Sequence, residues 1–271
     1  MTRSSFLVVA ALVLSGCASQ NLKARDLDSV SRPAFISRFE DDAGPHSRVF
    51  SEDATYTDKL KKLAPTEADR RLAAKLEKAV TRFEVSERLR VATVRQLPAE
   101  RPWTTAVDPA QVASVLEIFL VQPSGPPDYD LLKPLGADSV VEFVIQDYGM
   151  RSEKGRAGAF LKGYARMFWL KGRAEIWHHN FKVDQVAEGA EHLDPFKVGK
   201  DPAIFRTQLT DMLEPLAEQF AKELSPKDRN PNAPRPELTA PDSVNTTGHH
   251  APPPKPQEPP LPPGELPDPD S

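Results

Sequence analysis

Few side chains in this 271-residue sequence sit where chemistry would need them. Cys17 is the only thiol, so no disulfide can form within the chain. A lone cysteine in an exported protein would otherwise be a free thiol, which is unusual. His178 and His179 are adjacent, and neighbours on a strand point to opposite faces, so they do not chelate one metal. One packed and one exposed imidazole is expected. Glu142 and Asp147 resemble an acid pair, but five residues of regular strand put them about 17 Å apart and on opposite faces, beyond the separations of glycoside hydrolysis. His46 and His192 are isolated, and His249-His250 lies in a proline-rich tail. The sequence holds no Gly-x-Ser-x-Gly elbow and no phosphate-cradling or dinucleotide glycine loop. These residues predict no catalytic site, no metal and no cofactor.

The surroundings of Cys17 are more specific. Arg3 precedes an unbroken apolar run over residues 6–14. As a helix the run covers roughly 14 Å at about 1.5 Å per residue, under half of a bilayer core of about 30 Å. It is too short to span and reads as the apolar region of a signal peptide. The small residues Ser15 and Gly16 then lead into Cys17. Leu14-Ser15-Gly16-Cys17 resembles the lipobox of bacterial lipoproteins. The resemblance implies a diacylglycerol on the Cys17 sulfur, cleavage between Gly16 and Cys17, and further acylation (palmitate) at the new N-terminus. Several chains on one residue make a durable anchor where one alone binds marginally. Ala18 after the cysteine, where aspartate would retain such a protein at the inner membrane, implies the outer membrane. The alternative is an ordinary secretory signal followed by a chance cysteine.

Loss of residues 1–16 removes Arg3 and no acid, so the net charge moves from −4 to −5, with 34 basic against 39 acidic residues. That balance gives no electrostatic footprint for nucleic acid and no cationic surplus for anionic lipid. Half of the 28 prolines follow Lys227. The expected organisation is a signal peptide (1–16), a polar tether (17–30), one periplasmic domain (31–225) and a disordered tail (226–271) with too few apolar residues to fold. In polyproline II form the tail would reach about 140 Å.

Within the domain, residues 33–39 predict a first strand, and the adjacent acids Glu40, Asp41 and Asp42 a solvated turn rather than a calcium loop. Tyr56, Leu60 and Leu63 have the spacing of a short helix. A longer one follows Pro65, with Thr66 as its cap, Asp69 at the reciprocal position and an apolar stripe through Leu72, Leu76, Ala79, Val80 and Phe83. Residues 90–96 alternate and read as a strand. Asp108-Pro109 is a strong helix start. Residues 139–148, 159–170 and 174–183 predict an antiparallel meander, with a polar hairpin loop at 149–158 and a tight Lys171-Gly172-Arg173 turn. A long loop over 186–202 precedes a last helix over 205–224, kinked or restarted at Pro215. The fold class is α/β (α+β): a three-stranded antiparallel meander plus one or two further strands, packed against about three helices.

Gly136-Ala137-Asp138, the strand through Val140 and Ile145, and the Lys171-Gly172 turn leading to Ile176-Trp177 together resemble curli-secretion-type, TolB amino-terminal-like and penicillin-binding-protein-activator-type α/β lipoprotein domains. The likeness covers about a third of the chain. It implies a largely non-enzymatic role. Pore formation is not carried over, because no segment has the amphipathic strand a membrane hairpin needs. The sequence thus predicts a lipid-anchored, non-catalytic envelope lipoprotein, an accessory or assembly partner at the outer membrane facing the periplasm. Its contact surfaces would be the 149–158 and 186–202 loops, and its partners the membrane plus an envelope protein or peptidoglycan. An envelope hydrolase with an unrecognised site, and a structural lipoprotein whose tail contacts peptidoglycan, are the alternatives.

Overall fold

β-Branched and aromatic residues concentrate in three long segments, and these build the centre of the sheet. The computed structural model describes residues 20–98, 103, 105–121, 127–189 and 192–226, with the backbone alone over 117–121. In chain order the elements are α1 (Ala24–Asp28), β1 (Pro33–Phe39), β2 (His46–Arg48), α2 (Val49–Glu52), α3 (Ala54–Thr57), α4 (Pro65–Ala79), α5 (Arg82–Gln96), α6 (Pro109–Val121), β3 (Ser139–Glu153), β4 (Arg156–Trp169), β5 (Glu175–Asp184), α7 (Gln185–Glu188), α8 (Pro195–Lys200) and α9 (Ala203–Glu223). Short 3₁₀ segments occupy Asp58–Leu60 and Tyr129–Leu135.

The sheet has five strands in the order β1-β3-β4-β5, with β2 also paired to β3. β3, β4 and β5 form the expected antiparallel meander. β1 and β2 run parallel to β3 and pair with it one after the other, Pro33 opposite Ser139 and His46 opposite Gly149. The mixed α/β architecture is the one the sequence predicts. β3 and β4 are longer than expected, because the hairpin between them turns on two residues. Lys154 and Gly155 both take positive φ (54° and 76°), the combination of a two-residue turn whose twist matches the strands it joins.

One sheet face carries the main core. Phe35, Val141, Phe143, Ile145, Met167 and Trp177 pack there with residues of α4, α5 and α9. α9 supplies Leu209, Met212, Leu213, Leu216 and Phe220, and runs as one helix through Pro215, so the expected restart does not occur. The opposite face has a smaller core at one end, where Ala34, Ile36, Val140 and Phe168 meet Val112 and Leu116 of α6 and Leu132. The start of α6 is as expected: Asp108 accepts from the N–H groups of Ala110 and Gln111 at 2.7 and 3.2 Å.

Several expectations change. Residues 90–96 are helical, the C-terminal half of α5, whose start is capped by Thr81 accepting from the Glu84 N–H. The tether expected over 17–30 is already part of the fold from Gln20 onward, with Leu22, Leu27 and Val30 buried in the main core. Thr66 does not cap α4, which starts at Pro65 without a side-chain cap. Asp69 instead turns inward and accepts from Ser47 Oγ and from the N–H groups of Val49, Phe50 and Ser51, closing the start of α2. The two predicted contact loops are largely structured. The hairpin tip is held by Asp53 accepting from the Gly155 N–H and by Tyr56 donating to the Gly155 carbonyl. Segment 186–202 contains α8, with Pro195 and Val198 buried. Gly16, Cys17, His249-His250 and the tail beyond residue 226 lie outside the described residues. Among the described residues no helix is long and apolar enough to cross a membrane.

Candidate functional site

The densest polar cluster sits on the less covered sheet face, where β1, β3 and β4 run side by side. The registers Arg38↔Val144 and Glu142↔Arg166 place these side chains in one patch. Glu142 is fully buried, and a buried carboxylate needs partners for its charge and lone pairs. Arg38 Nε donates to Oε1 at 3.0 Å and Tyr129 Oη to the same oxygen at 2.6 Å. Arg166 Nε donates to Oε2 at 2.6 Å. Arg38 Nη2 reaches Tyr164 Oη at 2.8 Å, and Arg166 Nη2 reaches Tyr129 Oη at 3.3 Å.

The charge states follow from this geometry. Burial pushes the Tyr129 hydroxyl well above the ordinary tyrosine range, and the Glu142 charge pushes it further, so Tyr129 stays a neutral donor. Burial pulls both guanidiniums down, but the Glu142 charge outweighs it and both end above the ordinary arginine value. The cluster is therefore a fixed set of two cations, one anion and two neutral phenols. Towards β5, the His178 ring stacks on Tyr164 with centroids 5.4 Å apart and planes 11° from parallel. Its Nδ1 lies 3.1 Å from Glu175 Oε1 and its Nε2 3.1 Å from Asn180 Oδ1.

A concavity of about 320 Å³ opens beside Arg166, lined by Pro127, Tyr129, Phe168, Arg173 and Glu175. Guanidiniums lie over aromatic rings in its wall, Arg173 over Tyr129 at 4.9 Å and Arg166 over Phe168 at 5.0 Å. A larger groove of about 420 Å³ runs between α5 and α9, past Phe83, Val91 and Leu213, on the main-core side and away from the charged cluster.

The residues flagged from sequence are redistributed. Glu142 and Asp147 do not face opposite ways. The β3–β4 register shifts between Ile145 and Asp147, and this bulge reverses the alternation: Phe143 and Ile145 point to the main core before it, Tyr148 and Met150 after it. Asp147 thus shares the face of Glu142 but belongs to a separate group, with His46 Nδ1 and Arg48 Nη2 each at 2.7 Å. His178 and His179 do point to opposite faces. Both are half-buried rather than one packed and one exposed: His179 meets the Phe220 ring and Glu223 Oε2 at 3.0 Å. His192 is not isolated, since its Nδ1 accepts from the Ala157 N–H at 3.1 Å. Among the described residues no three His, Cys, Asp or Glu side chains converge as a metal site.

Arg38, Tyr129, Tyr164 and Arg166 escaped the sequence reading. A regular hairpin turned at Lys154-Gly155 would set Arg166 opposite Phe143; the bulge moves it opposite Glu142. The Gly136-Ala137-Asp138 junction has a local explanation. Gly136 ends the Tyr129–Leu135 segment at φ 75°, and Asp138 accepts from the Ser31 and Arg32 N–H groups at 2.5 and 3.0 Å, fixing the entry to β1.

No protein-family model matches this chain, and no curated protein does. Among solved structures it is similar to the hypothetical protein CT253 from Chlamydia trachomatis, with a TM-score of 0.30 and 12% identity over 71% of this chain and 98% of that one.

Proposed function

We propose that this chain is a lipid-anchored, non-catalytic envelope lipoprotein, held through Cys17 on the periplasmic side of the outer membrane and acting as an accessory or assembly partner there. The observation that carries the non-catalytic reading is the closure of the Glu142 cluster. Both carboxylate oxygens are taken by three donors, the flanking arginines keep their charge, and Tyr129 keeps its proton. A general acid or base needs a proton it can exchange with a substrate near the working pH; this cluster braces three strands instead. The anchor rests on Leu14-Ser15-Gly16-Cys17, and a chain cleaved before Cys17 keeps Gln20 and everything packed behind it.

Palmitate labelling of cells expressing the wild type and Cys17→Ala tests the anchor. Label on the wild type alone is expected, together with loss of the variant from the membrane fraction. Equal labelling would remove the anchor.

The hydrolase alternative has one observation in its favour: His178 pairs with Glu175, which lines the 320 Å³ concavity. Against it, both imidazole nitrogens are engaged by neighbours and the ring is stacked on Tyr164. Turnover of a chromogenic ester or glycoside that is lost in both His178→Gln and Glu175→Gln, with folding intact, would favour the hydrolase.

A further inference from the structure

We infer that the outer edge of β5 is the side that the domain lays against the phospholipid headgroups. The inference rests on the Cys17 anchor proposed above and deepens it. β5 is the last strand of the sheet, and both ends of the described chain meet it.

The first end is Gln20. It makes both backbone hydrogen bonds of an antiparallel pair with His178, at 2.8 and 3.0 Å, and its side-chain amide reaches the Glu175 carbonyl at 3.4 Å. Three residues extend at most about 11 Å. The acyl chains on Cys17 therefore enter the bilayer within that reach of the Gln20 backbone beside His178. The segment cannot pay out more chain without unpacking, because Leu22 and Leu27 are buried directly behind it. An anchor on a long flexible tether would leave the domain free to tumble; this attachment leaves it almost no slack.

The second end is the last turn of α9. Glu223 Oε2 takes the Trp177 indole N–H at 2.9 Å and stands 3.0 Å from His179 Nδ1, so the last turn of α9 packs on the main-core face of the same strand. An edge strand is a liability where it can pair with another chain, and laying it against headgroups covers it. Lys171, in the turn before β5, and Lys182, on the strand, are both exposed and offer labelling positions along it. β1 lies three strand spacings away, about 14 Å, with α5 packed over β1 and β3, so Phe83 and Val91 are carried away from the bilayer.

The test uses full-length lipidated protein in phosphatidylethanolamine–phosphatidylglycerol vesicles that contain a nitroxide-headgroup lipid. With the Cys17 sulfur in a thioether, one introduced cysteine is the only free thiol to label. Fluorophores at Lys171→Cys and Lys182→Cys are expected to lose fluorescence to the nitroxide, and fluorophores at Val91→Cys and Arg70→Cys to keep it. Equal quenching at all four positions, or stronger quenching at Val91→Cys and Arg70→Cys, in protein that floats with the vesicles, would overturn this orientation and leave the anchor standing. Protein that neither floats nor carries palmitate would overturn the anchor and the orientation together.

Discussion

On one face of the sheet, Phe143, Trp177 and Phe181 close around Phe220 of α9. On the other face, one residue back along β3, Glu142 is closed by Arg38, Arg166 and Tyr129. Both sites are buried and both tie several elements together, but by different means. The aromatic cluster gains from area removed from water and from edge-to-face ring contacts. The ionic cluster must first offset the cost of taking three charges out of water, and attraction plus hydrogen bonding only roughly restores the balance. The two faces can therefore respond in opposite ways when several residues are replaced at once.

The largest effects separate the two. Phe220→Ala removes a ring that contacts four other rings and leaves a cavity; urea unfolding should show a loss of about 3–5 kcal/mol, and no second substitution nearby should restore it cheaply. Glu142→Leu leaves Arg38 and Arg166 facing each other without their anion, and should cost a similar amount, about 3–5 kcal/mol. The difference appears in the triple variant Arg38→Met, Glu142→Leu, Arg166→Leu, which should recover most of that loss because no buried charge remains. A triple variant as unstable as Glu142→Leu alone would mean that the ionic cluster contributes as directly as the aromatic one, and the distinction between the faces would fail.

A smaller effect tests single buried carboxylates outside the cluster. Asp69 accepts three backbone N–H groups and the Ser47 hydroxyl. Asp69→Ala strands these donors and should cost about 1–3 kcal/mol. Asn at the same position should recover part of it, since its carbonyl still accepts.

Much of this fold was legible because its strongest signals are local. The meander shows in the β-branched density of residues 139–183, and Asp108-Pro109 marks the start of α6 by its own chemistry. Residues 90–96 misled because Val91, Thr93 and Arg95 alternate with Arg90, Ala92 and Val94, whereas the stripe that decides the matter, Val85, Leu89 and Ala92, begins further back and forms the buried face of α5. Thr81 followed three residues later by Glu84 is a capping-box pattern and could have revealed that helix. Residues 20–30 read as a tether because they are polar overall, yet Leu22, Leu27 and Val30 are enough to fasten them. The Glu142 cluster was hidden for another reason. It depends on a parallel strand from far upstream and on a bulge at Gln146 that flips one strand's alternation, and neither leaves a mark in residue type.

The hairpin tip gives a pH test of a buried acid held by backbone hydrogen bonds and not by arginines. Asp53 is almost fully buried, and burial alone would raise its carboxyl. Hydrogen bonds from the Gly155 and Thr55 N–H groups outweigh that, and the net shift is downward. A carboxyl lowered in the folded state adds stability above its unfolded value of about 3.9 and loses it as the pH falls through the folded value. Melting temperatures should therefore fall on acidification below about pH 4, and Asp53→Asn should flatten that part of the curve. An unchanged acid slope in the variant would assign the loss to other carboxylates.

The smallest effect marks where pairing stops mattering. Arg95 Nη2 lies 2.7 and 2.8 Å from the two Glu214 oxygens, joining α5 to α9 with geometry as short as that around Glu142. Both side chains are exposed, at 64% and 44%, so water and salt already satisfy them when they are apart. Arg95→Ala should cost less than about 1 kcal/mol, and the cost should shrink further as salt is raised. A loss near that of Glu142→Leu would show that distance rather than burial sets the strength of these pairs. The expected contrast at equal distance makes burial the deciding variable, because the fully buried Glu142 carboxylate has no water to return to when a partner is removed.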